Sequence, residues 1–164
     1  MGSGKSTIGK SLSMKLNIPF IDLDQFIENQ ENESIKSLFD NKGELYFRKL
    51  ERQALLHLIA QKDPAIISLG GGTPCYFDNM EKLAHSKHDS IYLKAAIPTL
   101  AGRLKKEKNT RPMIAHLNDD NALIEFIGKH LFERNVYYQQ AKLTYAVDDL
   151  TTEEITTALQ RSLT

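Results

Sequence analysis

The chain has 164 residues, which is typical of one domain with a core large enough to need no disulfides. It carries 21 basic and 21 acidic side chains, so its formal net charge is zero; this excludes binding to duplex DNA or an anionic membrane through bulk charge. Cys75 is the only cysteine, which excludes an intrachain disulfide and a multi-cysteine zinc site and favours a reduced, cytoplasmic setting.

Short β-like runs alternate with longer helical runs along the chain, a pattern that predicts an α/β fold with a parallel sheet. The predicted helices cover residues 5–16, 24–30, 34–39, 44–61, 78–84, 98–107, 121–141 and 152–163. The predicted strands cover residues 19–22, 65–69, 90–93 and 144–147. Residues 105–120 are polar and lack a sustained period, so we expect a lid within a single domain that spans residues 1–164. An ordinary solvated loop is the alternative for that segment.

The first predicted helix is preceded by small residues in the order Gly2-Ser3-Gly4-Lys5-Ser6-Thr7. This run matches the last part of the phosphate-loop pattern G-x-x-x-x-G-K-[ST]. Small residues let backbone N–H groups surround phosphate oxygens, the lysine reaches the β- and γ-phosphates, and the serine hydroxyl can bind Mg²⁺. A tag or linker remnant is the alternative, but the apolar spacing of Ile8, Leu12 and Leu16 continues directly into an amphipathic helix.

Polar residues that suit a small anionic substrate follow in the rest of the chain. Asp22 and Asp24 come at the end of a predicted strand, where paired carboxylates suit Mg²⁺-bound water and a substrate hydroxyl; the alternative for Asp24 is a helix N-cap. Arg48 borders an apolar helix face and could form a surface pair with Glu51.

Three further features point to the same kind of substrate. Arg134 shares a helix face with apolar residues, so it either extends to solvent or meets a buried anion. The run Gly70-Gly71-Gly72 permits close approach of backbone to a ligand. Arg111, in the predicted lid, could neutralise a transferring phosphoryl group, although a solvated arginine is the common alternative.

In chain order, these motifs resemble those of the shikimate kinases. The matching runs are 2–7, Phe20-Ile21-Asp22-Leu23-Asp24, Phe47-Arg48-Lys49-Leu50-Glu51, Gly70-Gly71-Gly72, Arg111-Pro112, and Glu133-Arg134 with Tyr137-Tyr138. The resemblance implies a three-layer P-loop kinase fold, with a five-stranded parallel sheet between helices and a lid. It implies transfer of the ATP γ-phosphoryl group to the 3-hydroxyl of shikimate, in aromatic amino-acid biosynthesis.

The resemblance also implies the role of each site residue. ATP would bind Gly2, Ser3, Gly4, Lys5, Ser6, Thr7 and Arg111, and Mg²⁺ would be held by Ser6 and, through water, by Asp22. Shikimate would bind Asp24, Arg48, Gly70, Gly71, Gly72 and Arg134. Lys5, Asp24 and Arg111 would be catalytic, with Asp24 as a proton acceptor or an orienting group. Arg103 matches an adenine-contacting position only loosely. We expect a monomer that binds neither nucleic acid nor a membrane.

The sequence departs from the family at its start, where the family has a strand and the first part of its phosphate loop. We therefore expect that the chain begins at an internal methionine and that the natural protein is about ten residues longer. The resemblance places that strand at the centre of the sheet, so its loss would leave an open slot and unpaired backbone groups. Two alternatives remain from the residues: another kinase of this fold, such as a gluconate kinase, and a nucleotide-binding protein without activity.

Overall fold

A computed structural model of the chain describes residues 2–106, 112–117 and 119–163. Its helices are α1 (Lys5–Leu16), α2 (Leu23–Glu31), α3 (Ile35–Lys42), α4 (Glu44–Ile59), α5 (Asn79–His85), α6 (Ile97–Lys106), α7 (Pro112–Ala115), α8 (Asp120–Tyr138) and α9 (Thr152–Leu163). Its strands are β1 (Phe20–Asp22), β2 (Ile66–Ser68), β3 (Ile91–Lys94) and β4 (Leu143–Ala146), and a 3₁₀ turn covers Thr73–Cys75. The predicted elements are confirmed, most of them with shifted ends, whereas α7 and the 3₁₀ turn were not predicted. No helix in these ranges has both the length and the apolar character needed to cross a bilayer.

The strands form two separate parallel pairs in the described part of the chain. β1 pairs with β2, with Phe20 opposite Ile66, and β3 pairs with β4, with Ile91 opposite Leu143. The predicted α/β class with parallel pairing is therefore confirmed. Because the described residues supply no strand between β2 and β3, each of these two strands has one edge without a ladder partner.

A cavity of about 490 Å³ lies between β2 and β3, and we call it the central slot. Both strands line it, together with apolar side chains of α1 that include Ile8 and Leu12. The structure thus contains the open slot that the resemblance implies.

The helices pack in layers that position the two sides of the site. α1 contacts β1, β2 and α9, and it approaches β1 closely at Gly9, where an added Cβ would lie 2.6 Å from Cε2 of Phe20. One core cluster joins α1, α6, α8 and α9, and a second lies among α2, α3 and α4. β2 lies between these two clusters, because Ile66 packs against the first and Ile67 packs against the second.

Candidate active site

The segment before α1 forms a loop that leads into a helix end suited to anions. Gly2 and Gly4 have φ angles of 71° and 86°, in the left-handed region that glycine adopts without strain. Gly4 is the N-cap of α1, and its carbonyl accepts the first helical hydrogen bond from the N–H of Ile8 at 2.9 Å. The first N–H groups of a helix have no intrahelical acceptor, and the first turn of α1 contains no acidic side chain. The positive end of this 12-residue helix is therefore suited to phosphate oxygens.

Ser6 and Asp22 bring two oxygen ligands together beside this loop. The Ser6 hydroxyl donates to Oδ2 of Asp22 at 3.0 Å. The other carboxylate oxygen, Oδ1, accepts from the backbone N–H groups of Asp24 and Gln25, which makes Asp22 the N-cap of α2. The cap fixes the carboxylate at the carboxyl end of β1, next to the start of α1.

The structure corrects the helix-cap interpretation of Asp24, because Asp22 caps α2 and Asp24 lies within its first turn. The pKa of Asp24 is raised from 3.8 to about 6, first by burial and then by the negative charges of Asp22 and Glu51, against the opposing positive charge of Lys5. Asp24 is thus close enough to Lys5 of the phosphate loop and to Glu51 of α4 for both charges to change its pKa. It marks the point at which the two sides of the site meet.

A buried carboxylate holds Arg48 in place on the opposite side. Glu51 is only 1% exposed; its Oε2 accepts from the Arg48 guanidinium at 2.9 Å and its Oε1 from the Thr73 hydroxyl at 2.6 Å. The Arg48 side chain is 11% exposed. The pair between Arg48 and Glu51 exists, but the prediction that it lies at the surface is wrong, because Glu51 is fully buried and Arg48 is mostly buried. A charged hydrogen bond in such a desolvated setting contributes about 1.5–3 kcal/mol.

Two further side chains fix the outer side of Arg48. Oε1 of Glu44 accepts from Nε and a terminal nitrogen of Arg48, at 3.3 and 3.2 Å, and from the Tyr76 hydroxyl at 2.7 Å. The Tyr76 ring lies over the guanidinium, with 4.1 Å between Cζ and the ring centroid. The Tyr76 hydrogen bond, followed by that of Arg48, lowers the pKa of Glu44 despite some desolvation. These contacts leave the guanidinium little freedom to change its orientation.

The predicted glycine run forms a close-fitting wall beside these groups. An added Cβ at Gly72 would lie 2.7 Å from a terminal nitrogen of Arg48, and one at Gly70 would lie 3.0 Å from Oε1 of Glu51 and 3.1 Å from Oδ1 of Asp24. Side chains at Gly70 and Gly72 would therefore displace the charged groups. The carbonyl of Gly71 accepts a hydrogen bond from the Tyr138 hydroxyl at 2.5 Å, which ties the wall to α8.

Arg134 of α8 lies in the same neighbourhood as Arg48. Both arginines lower the pKa of Glu44, and both oppose the burial that raises the pKa of the Cys75 thiol. Arg134 also lines a small cavity with Ile127, Leu131 and Tyr138. The structure thus brings together two positive charges that lie 86 positions apart in sequence, from Arg48 to Arg134.

Of the two other arginines that the sequence singles out, the structure describes Arg103 but not Arg111. Arg111 and most of the segment before it lie outside the described residues, so the predicted lid is represented by α7 and its flanks. Arg103 of α6 donates to the carbonyl of Ser3 at 3.4 Å and to that of Val147 at 3.1 Å. These contacts connect α6 with the phosphate loop.

Some residues of the site were not found from the sequence. The spacing of four between Glu44 and Arg48 would have indicated a helical ion pair, but the additional contact of Glu44 with Tyr76 depends on the path of the chain after β2. Thr73 and Tyr138 carry no sequence signal for their contacts with Glu51 and Gly71. These residues support the site by fixing its charged groups.

The arrangement can bind an anion on one side and a small acidic molecule on the other. The phosphate loop provides backbone donors and Lys5, while Arg48 and Arg134 provide positive charge near the glycine wall. Asp24 lies between the two sides, where a carboxylate suits an acceptor hydroxyl. Fold and site define a P-loop phosphotransferase with a small-molecule acceptor.

Comparison with known proteins identifies the family. The family model described as shikimate kinase matches residues 1–164; the chain belongs to the shikimate kinase family. A shikimate kinase of Flavobacterium johnsoniae is 50% identical over 154 residues, which cover 94% of this chain and 89% of the relative. The crystal structure of shikimate kinase from Bacteroides thetaiotaomicron matches with a TM-score of 0.91 and 36% identity, over 99% of this chain and 93% of that one. The Acinetobacter baumannii enzyme, solved in complex with shikimate, matches with a TM-score of 0.84 and 26% identity, over 99% and 88%.

Replacement of Asp24 by asparagine should stabilise the fold at neutral pH and not at acidic pH. Because the folded-state pKa of about 6 exceeds the ordinary value of 3.8, the wild type loses stability as pH rises between these values, by up to about 2–3 kcal/mol. The asparagine side chain would carry no charge at either pH. Urea unfolding at about pH 8 should therefore show a gain for Asp24→Asn that disappears near pH 4.

The exposed Asp40 of α3 provides a matched control, since Asp40→Asn removes a carboxylate that is not buried. It should change stability by no more than about 0.5 kcal/mol at either pH. A gain for Asp24→Asn that is the same at both pH values would contradict the burial of an ionised Asp24.

Proposed function

We propose that this chain transfers the γ-phosphoryl group of ATP to the 3-hydroxyl of shikimate, with shikimate 3-phosphate and ADP as products. The observation that carries the proposal is the position of Asp24, where the charges of Lys5 and Glu51 both act on one carboxylate. A donor site and an acceptor site therefore meet at a group that can orient a hydroxyl. The names of the relatives and the shikimate complex of the A. baumannii enzyme support the choice of acceptor.

The nucleotide side consists of backbone N–H groups of residues 2–7 and the Lys5 ammonium. The N–H groups at the start of α1 bind β- and γ-phosphate oxygens, because the helix end is positive and its donors lack intrahelical acceptors. Lys5 neutralises the charge that accumulates on the oxygens of the transferring group. Gly2 and Gly4 provide the left-handed turns that let the loop follow the phosphates.

Ser6 and Asp22 fit a magnesium ion at this end of β1. Mg²⁺ takes oxygen ligands and keeps several waters, so one hydroxyl and one carboxylate beside substrate phosphates are sufficient. The described residues hold no cluster of three acidic, histidine or cysteine side chains that would form a metal cage of their own, which agrees with such a sparse set. When bound, the ion neutralises β- and γ-phosphate charge. Asp22 is already oriented for this role by its cap contacts with α2.

The acceptor side positions shikimate by its carboxylate. Arg48 and Arg134 bind this group, with Arg48 held by Glu51 and Glu44 so that little side-chain freedom is lost on binding. The backbone of Gly70, Gly71 and Gly72 lines the acceptor. Specificity follows from charge and shape, since a neutral acceptor would offer no carboxylate to Arg48 and Arg134.

Asp24 orients the 3-hydroxyl for in-line attack on the γ-phosphorus. As the oxygen–phosphorus bond forms and the bond to ADP breaks, the hydroxyl proton passes to the Asp24 carboxylate. With a pKa of about 6, this group is ionised at neutral pH and is a better proton acceptor than an exposed aspartate. Because Lys5 binds the ATP phosphates beside Asp24, it sets the distance between the attacking hydroxyl oxygen and the γ-phosphorus.

The segment 105–120 and Arg111 close over the nucleotide in this proposal. Closure would exclude water, which otherwise competes with shikimate for ATP, and Arg111 would add positive charge near the transferring group. The single domain of residues 1–164 acts as a monomer, because every role named here is assigned within one chain.

ADP release in the presence of MgATP tests the reaction directly. The chain should release ADP when shikimate is added and not when gluconate is added. Lys5→Ala should lower kcat by at least about a hundred-fold, since it removes a charge from the transition state. Lys10→Ala, which alters an exposed lysine of the same helix, should leave kcat within about twofold. ADP release that is independent of shikimate, from protein that is folded by circular dichroism, would contradict the proposal.

Arg134→Ala should weaken shikimate binding and leave ATP binding nearly unchanged. Loss of a charged hydrogen bond of about 1.5–3 kcal/mol raises the KM for shikimate by about 10–150-fold, whereas the KM for ATP should change by less than about twofold. Arg161→Ala, on the exposed side of α9, is the matched control and should change neither constant. An equal rise in both KM values for folded Arg134→Ala would show that Arg134 does not bind the acceptor.

A further inference from the structure

A buried asparagine follows the glycine wall in the chain and has no part in the site as described so far. Asn79 is the first residue of α5 and is fully buried. Its Nδ2 donates to the carbonyl of Thr73 at 2.8 Å, whereas its Oδ1 has no hydrogen-bond partner among the described residues. A buried polar atom without a partner costs stability, so an apolar side chain would suit this position better if packing were its only role. The retained amide therefore points to a use for its donor.

The two donors of Asn79 fix both ends of the turn of residues 73–76, which includes the 3₁₀ turn. Besides the contact of Nδ2 with Thr73, the backbone N–H of Asn79 donates to the carbonyl of Tyr76 at 3.3 Å. Neither acceptor belongs to α5, in which Asp78 is the N-cap and makes no side-chain cap contact. Asn79 thus reaches back from the start of α5 and ties this turn together.

The two ends of this turn hold the guanidinium of Arg48 from two sides. On the inner side, the Thr73 hydroxyl donates to one oxygen of Glu51, whose other oxygen accepts from Arg48. On the outer side, the Tyr76 ring lies 4.1 Å from Cζ of Arg48, and its hydroxyl donates to Glu44, which also accepts from Arg48. A shift of the turn would therefore move the inner carboxylate and the outer ring at the same time.

An ion pair beside Asn79 provides a second attachment of the same segment. Asp78 accepts from Nε of Arg52 at 2.8 Å, and a terminal nitrogen of Arg52 lies 2.6 Å from the same oxygen. The two side chains are about one-third exposed, at 31% for Arg52 and 34% for Asp78. Ion pairs that are open to solvent contribute little, whereas the contact of Asn79 with Thr73 is buried. The amide is therefore the stronger of the two attachments.

We propose that Asn79 is a positioning residue for the acceptor site. It fixes the turn of residues 73–76, and this turn holds the Arg48 guanidinium in the orientation that binds the acceptor carboxylate. The inference rests on the proposed function, because it requires that Arg48 binds shikimate. Loss of the Asn79 donor should act on acceptor binding and not on nucleotide binding, since the nucleotide side of the site is formed by residues 2–7.

Hydrogen exchange of the Arg48 side chain tests the positioning without any ligand. The Nε–H of Arg48 donates to Glu44 at 3.3 Å, and NMR of isotope-labelled protein follows its exchange. Asn79→Leu removes the donor and the orphan oxygen together, and Asn79→Ala removes the donor with a different change of volume, so that one variant remains if the other does not fold. Either variant should speed this exchange by at least about tenfold, whereas exchange at Arg103 should not change. Unchanged exchange at Arg48 in a folded variant would overturn the proposal.

Calorimetric titration with shikimate and, separately, with ATP tests what the positioning is for. The Asn79 variants and Thr73→Val should each raise the Kd for shikimate by at least about tenfold and change the Kd for ATP by less than about twofold. Thr156→Val is the matched control for Thr73→Val, since Thr156 is also fully buried and donates its hydroxyl within α9. This control should change neither Kd.

Arg48→Ala separates a failure of this inference from a failure of the proposed function. If Arg48→Ala weakens shikimate binding while folded Asn79 variants bind it as the wild type does, the inference is overturned and the proposed function stands. If Arg48→Ala leaves the Kd for shikimate unchanged, the proposed function fails and the inference fails with it. Equal losses of shikimate and ATP affinity in the Asn79 variants would show a general structural role, and a loss with Arg52→Ala alone would assign the positioning to the ion pair. Either result would overturn the inference.

Discussion

The contact between the buried Glu51 carboxylate and the Arg48 guanidinium fixes the side of the site that is proposed to bind the acceptor. An unpaired charge at either position would be costly in this desolvated setting, so each group holds the other, and Thr73 holds Glu51 in turn. The glycine wall makes room for these groups, as the short distances from Gly70 and Gly72 show. A guanidinium fixed in this way can bind a carboxylate without first being ordered.

The same buried carboxylate connects the acceptor side to the chemistry. The charge of Glu51 contributes to the raised pKa of Asp24, and Lys5 of the phosphate loop opposes it. The raised pKa means that the fold loses stability when Asp24 is ionised. The same raised pKa makes Asp24 a better proton acceptor in the proposed reaction. A fold that keeps such a carboxylate gives up stability for function, as is common at active sites.

The sequence predicted those parts of the protein that local pattern determines. Periodicity placed α1 and α9 with their observed ends, and residue type singled out the loop before α1, Arg48 and Arg134 as candidates for the site. The sequence prediction failed where a position depends on tertiary packing. Asp22 rather than Asp24 caps α2, and Glu51 is buried and accepts a hydrogen bond from Thr73, 22 residues further along the chain. The contacts of Tyr76 with Glu44 and Arg48 had no sequence signal for the same reason. The central slot was foreseen only through the resemblance, since no local pattern reports a cavity between β2 and β3.

The most direct test of the account is calorimetric binding of shikimate to Gly72→Ala, which adds one methyl group 2.7 Å from the Arg48 guanidinium. We expect the Kd for shikimate to rise by at least about tenfold because the arginine is displaced, with the affinity for ATP unchanged. Gly102→Ala, where an added Cβ meets nothing within 4 Å, is the control and should bind shikimate as the wild type does. Unchanged shikimate affinity in folded Gly72→Ala would contradict the claim that a fixed Arg48 binds the acceptor.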